Sequence, residues 1–98
     1  MNLEECRKEI DEIDTQIVAL LNRRGSIAKE IGMTKARAGL PIIDRHRESE
    51  ILTKITRRNE GVIDDATVMR IYGEILFESR RIQKDAINEI ARNGEMVK

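Results

Sequence analysis

"IDEIDTQIVALLNRRGSIAKEIGMTK", Ile10–Lys35, is the stretch whose reading decides the fold. At about 100° of rotation per residue, Ile10, Ile13, Ile17, Leu20, Leu21, Ile27, Ala28 and Ile31 fall in one sector of a helix. The helix extends in both directions. Asn2, with Glu5 three residues on, is a capping-box signature. "AGLP", Ala38–Pro41, stops it at the other end. A helix from about residue 3 to about residue 38 is a rod of roughly 50 Å. A rod this long needs a partner along its whole apolar face. Gly25 and Gly32 interrupt it, seven residues apart on one side. They are either tolerated weak points, each costing up to about 1 kcal/mol against alanine, or places of close helix approach.

Working outward, two more helices follow. The second begins at Asp44, a good N-cap residue, and spans about residues 44–58. "RNEG", Arg58–Gly61, ends it, with Gly61 suited to a left-handed position. The third spans about residues 65–91, behind Asp64 and Asp65. Residues 92–98 read as a frayed tail. The whole chain is one all-α domain of three helices.

Composition narrows the function. The 98 residues carry 18 basic and 18 acidic side chains, so net charge points neither to nucleic acid nor to an anionic membrane. Tyr72 and Phe77 are the only aromatics, too few for base stacking. With Cys6 the only cysteine and His46 the only histidine, no disulfide, metal cluster or catalytic triad is expected. No apolar run approaches the roughly 20 residues that span a bilayer. The polar, acidic N-terminus does not read as a signal peptide, so a cytoplasmic location is expected.

Each helix also carries polar residues on its apolar face. Arg24 sits at the centre of the first helix's stripe, Lys35 lies within it and Arg7 at its edge. In the second, Asp44 and Glu48 share the face of Ile51, Leu52 and Ile55, with Arg47 at its margin. In the third, Ser79 and Gln83 lie among Val68, Ile71, Ile75, Ile82 and Ile87, while Arg80 and Arg81 fall outside that stripe. His46, Ser49 and Glu50 read as solvated. Buried charge is costly unless paired. Either these residues pair with one another inside a bundle, or they line a polar cavity that a ligand fills. The cavity reading accounts for the whole set at once. Its cations favour carboxylates, and acids beside them suit a hydroxyl. The expected ligand is a small anion with more than one carboxylate and a hydroxyl. Phosphate lacks a glycine-rich cradle here.

Arg7 and Arg24 are about 25 Å apart along the rod. One small molecule cannot touch both from one chain. If both serve one site, Arg7 comes from a second copy, through antiparallel pairing of two first helices.

These residues carry a resemblance. "RKEIDEIDTQIVALLNRRGSIAKEIGMTK", "LPIIDRHRESEI" and "ESRRIQ", in this order, resemble the all-helical chorismate mutases, the AroQ class. The resemblance covers about Cys6 to Lys84. It implies an intertwined helical homodimer that binds chorismate and needs no cofactor. It implies that Arg7 enters the other subunit's site and that Arg24 holds a substrate carboxylate. Lys35 would contact a carboxylate and the ether oxygen. Asp44, Arg47 and Glu48 would form the helix-two trio, with the Glu48 side chain and the Asp44 backbone at the ring hydroxyl. Ser79 and Gln83 would form the helix-three pair, with Gln83 donating to the ether oxygen. The implied reaction is the [3,3] rearrangement of chorismate to prephenate, on the way to phenylalanine and tyrosine. Restraint of the substrate and stabilisation of charge on the ether oxygen would drive it. Two rival readings share the fold. One is an isochorismate-pyruvate lyase. The other is a regulatory, low-activity mutase-like module working with another enzyme of aromatic biosynthesis. A helical adaptor is a third, and it leaves Arg24 and Gln83 unexplained.

Overall fold

The computed structural model describes residues 1–94. Three helices make up the fold: α1 (Leu3–Ala38), α2 (Arg45–Arg58) and α3 (Asp65–Arg92). Their ends follow local chemistry. Asn2 and Glu5 form the reciprocal capping box: the Glu5 N–H donates to Asn2 Oδ1 at 2.8 Å and the Asn2 N–H to Glu5 Oε2 at 3.3 Å. At the far end, Gly39 adopts φ 68°. The Gly39 N–H donates to the Ala36 carbonyl and the Leu40 N–H to that of Lys35, a Schellman closure that only a residue tolerant of positive φ makes cheaply. Asp44 caps α2 by accepting from the Arg47 N–H at 3.0 Å. Asp64 caps α3 through the Thr67 N–H at 2.7 Å.

One turn differs from expectation. α2 ends at Asn59 in extended conformation, and among the described residues only Gly39 and Gly94 have positive φ. Gly61 is not a left-handed cap. The Asn59 side-chain amide donates instead to the Ile63 carbonyl and to Asp65, at 2.8 Å each, and carries the chain into α3. The expected tail keeps Arg92 within α3, and residues 95–98 lie outside the described part.

α3 is the central element. It packs against α1 on one side and α2 on the other, while α1 and α2 do not pack together. α1 and α3 run parallel, since Arg24 meets Ser79 and Lys29 meets Glu89 further along both. Gly32 brings them close. A Cβ there would stand 2.7 Å from the Cα of Gln83 and 2.8 Å from its carbonyl oxygen. Close approach is therefore the reason for Gly32. Gly25 faces only the Ile82 side chain, at 3.3 Å.

The core is thin: Ala28, Gly32, Leu76, Ala86 and Ile90, with Gln83 among them. Leu76, Ala86 and Ile90 carry more of it than the predicted stripe. Ile71, expected inside, is 48% exposed. In α1, every residue from 1 to 23 is exposed, Ile10, Ile13, Ile17 and Leu20 included, so the rod's apolar face lacks a partner within its own chain. The first half of the rod reaches past its own chain, giving the molecule a 61 Å long axis. No helix among the described residues is long and apolar enough to cross a membrane.

Candidate active site

The gap between α1 and α2, floored by α3, is a cavity of about 300 Å³. Its walls are largely apolar, with Ile27 and Ile31 from α1 and Leu76 from α3. Arg24, Lys35, Asp44, Arg47, Glu48, Ser79 and Gln83 all line it. Seven of the eight predicted site residues thus meet in one place. The eighth, Arg7, is exposed on the protruding half of α1, about 25 Å from Arg24 along the axis.

The polar groups are ordered by specific contacts. One Arg24 guanidinium nitrogen, Nη1, donates to the Ser79 hydroxyl, leaving its other N–H groups for a ligand. Lys35 Nζ donates to the Ile42 carbonyl at 2.7 Å and to Gln83 Oε1 at 2.8 Å. Gln83 is only 7% exposed, and its amide NH₂ group remains as a donor. Among the described residues, neither Arg24 nor Lys35 is ion-paired with Asp44 or Glu48. Mutual pairing of the predicted charges is therefore not what places them here. The Asp44 carboxylate is occupied as the α2 cap, and Arg47 sits exposed at the rim.

Glu48 does have a partner, and it is one the sequence reading set aside. Arg80 Nη1 lies 2.6 Å from Glu48 Oε1, and Arg80 lines the cavity. Its Cα is one position past Ser79, off the apolar stripe as read. A long side chain reaches α2 from that angle. The signal available was its spacing of four residues from Leu76 and three from Gln83, with a side chain of sufficient length. The Ile42 carbonyl was also missed, and a backbone acceptor leaves no residue-type signal.

Comparison with known proteins follows the same lines. The family model for chorismate mutase type II matches residues 6–84. The chain belongs to the chorismate mutase type II family. A chorismate mutase from Methanocaldococcus jannaschii is 34% identical over 88 residues, covering 89% of each protein. A bifunctional chorismate mutase/prephenate dehydratase from Aquifex aeolicus is 44% identical over 86 residues. This chain spans only 24% of that relative's length, so the match to it is to one segment of a longer protein. Among solved structures, a chorismate mutase from Helicobacter pylori in complex with prephenate superposes with a TM-score of 0.80 at 33% identity. The match covers 89% of this chain and 94% of that one. Form II of a Thermus thermophilus chorismate mutase gives 0.81 at 34% identity, covering 84% and 93%. The chorismate mutase type II fold accordingly extends over nearly all of α1, α2 and α3.

Proposed function

We propose that this chain converts chorismate to prephenate by intramolecular [3,3] rearrangement. The observation that carries this reading is the convergence of Arg24, Lys35 and Gln83 on one small cavity, opposite Glu48. In this reading Arg24 and Arg47 hold the substrate carboxylates, and Lys35 contacts a carboxylate and the ether oxygen. Glu48, with the Asp44 backbone, receives the ring hydroxyl. Ser79 fixes Arg24 and borders the ligand.

The reaction needs no group transfer to the protein. One C–O bond breaks as a C–C bond forms. The apolar walls and the cations hold the enolpyruvyl arm over the ring, a near-attack arrangement. As the C–O bond lengthens, the ether oxygen gains negative charge. The Lys35 ammonium and the Gln83 NH₂ group then donate more strongly to the transition state than to the substrate.

The working unit in this reading is a homodimer. The exposed Ile10, Ile13, Ile17 and Leu20 need burial that their own chain does not supply. Antiparallel pairing of two α1 helices covers them and carries Arg7 to the partner's cavity, with two equivalent sites per dimer. The 17-residue interval between Arg7 and Arg24 places the two-fold axis near Thr15 and Gln16.

Loss of chorismate absorbance on adding purified protein tests the activity. Arg24→Ala should lower kcat/KM by one to two orders of magnitude or more, following the roughly 1.5–3 kcal/mol of a charged hydrogen bond. Undiminished turnover in that variant would overturn the reading. Running isochorismate alongside, with pyruvate as readout, separates the lyase alternative.

A further inference from the structure

Arg80 is the feature that this function does not absorb. It follows Ser79 directly, yet it reaches α2 rather than α1. Its guanidinium lies 2.6 Å from Glu48 Oε1 and 6.0 Å from the centre of the Phe77 ring, so it is held between an acid and an aromatic face. Both partners of the pair are partly shielded, with side chains 33% and 24% exposed. The neighbouring Arg81 is turned elsewhere and pairs with Glu78 and Asp85. Two adjacent arginines thus have separate assignments, and only Arg80 borders the cavity.

We propose that Arg80 is a positioning residue that makes Glu48 a reader of the ring hydroxyl. This rests on the functional reading above. A free carboxylate on one turn of a helix rotates among several rotamers and offers either oxygen. With Oε1 tied to Arg80, Glu48 presents Oε2 to the cavity as an acceptor with no donor of its own. A substrate hydroxyl satisfies it. A substrate lacking that hydroxyl leaves a desolvated carboxylate oxygen without a donor, and the site rejects it. Arg80 also borders the adjoining groove of Pro41, Ile43 and Phe77. Arg80 and Ile42 thus border both the cavity and that groove.

The test compares chorismate with the analogue in which hydrogen replaces the ring hydroxyl. The readout is the ratio of the two kcat/KM values, which a general loss of structure does not move. Arg80→Met keeps an unbranched apolar stem and removes the guanidinium with its charge. It should lower the ratio by at least about tenfold, mostly through chorismate. Arg80→Lys should restore part of it. In a Glu48→Ala background, Arg80→Met should change the ratio no further, since both substitutions act through one contact. Far-UV circular dichroism checks that each variant folds. A ratio unmoved by Arg80→Met, or equal losses on both substrates, would overturn the role of Arg80 alone. Wild-type protein inactive on chorismate would overturn the functional reading and this inference together.

Discussion

Lys35 Nζ stands 2.8 Å from Gln83 Oε1, and this contact decides which end of the amide faces the cavity. An ammonium offers donors only, so the amide oxygen turns toward it. The NH₂ group is left for an acceptor in the cavity. One lysine therefore supplies a charge and also orients the second donor. Lys35→Ala should lower kcat/KM by about two to three orders of magnitude, the size of a lost oxyanion-type donor. Steady-state kinetics on chorismate measures it, and near-normal turnover would rule out Lys35 as that donor.

Gln83→Glu replaces an amide donor with a group that donates only when protonated. The variant should regain activity as pH falls, whereas the wild-type amide shows no such dependence. A pH–rate profile of both proteins checks this. A flat profile for the variant counts against Gln83 as a donor to the ether oxygen.

If the proposed homodimer is the working unit, Arg7→Ala and Arg24→Ala proteins should each be impaired, yet a mixture should recover activity. In a mixed dimer, one site receives both intact arginines and the other receives neither. After random exchange of equal amounts, about a quarter of all sites are intact. No recovery after denaturation and joint refolding would show that Arg7 does not act across subunits.

The two interhelical glycines should respond oppositely to alanine. At Gly32 a methyl meets the backbone of Gln83, which cannot step aside. Gly32→Ala should destabilise by about 1–3 kcal/mol, the usual cost of overpacking. At Gly25 it meets the tip of the Ile82 side chain, which can yield by a few tenths of an ångström. Gly25→Ala should gain up to about 1 kcal/mol of helix propensity. Urea unfolding of both variants gives the comparison.

Asp64 links stability to pH. Hydrogen bonds from the Thr67 side chain and backbone hold its carboxyl below the ordinary value of 3.8. A carboxyl depressed in the folded state stabilises above its unfolded value and loses that contribution as pH falls through its folded one. Asp64→Asn keeps a capping acceptor without the titration. Its stability should fall less steeply below about pH 4 than that of wild type, as thermal melts at graded pH would record.

Much of this was legible in the sequence, for physical reasons that differ by residue. The helices were, because apolar spacing and caps such as Asn2 and Asp44 are local. Arg24, Lys35, Glu48, Ser79 and Gln83 were, because a polar residue on an apolar face conflicts with the surrounding pattern. Arg80 was not, because a wheel places Cα positions and not the reach of a guanidinium. The Gly61 turn was not, because the Asn59 side chain ties the turn forward to Ile63 and Asp65, and no left-handed residue closes α2. Leu76 rather than Ile71 is buried, on the face of α3 that also carries Gln83, Ala86 and Ile90.

The approach at Gly32 also sets a scale for the chemistry. Lys35 is one turn beyond it on α1, and Gln83 is the residue pressed against it on α3. The separation of the two donors is thus inherited from a main-chain contact rather than from the bulk of the side chains around it. In the proposed function, the electrostatic grip on the substrate then depends on that contact. The distance between the two backbones at Gly32 acts as a ruler for the two donors.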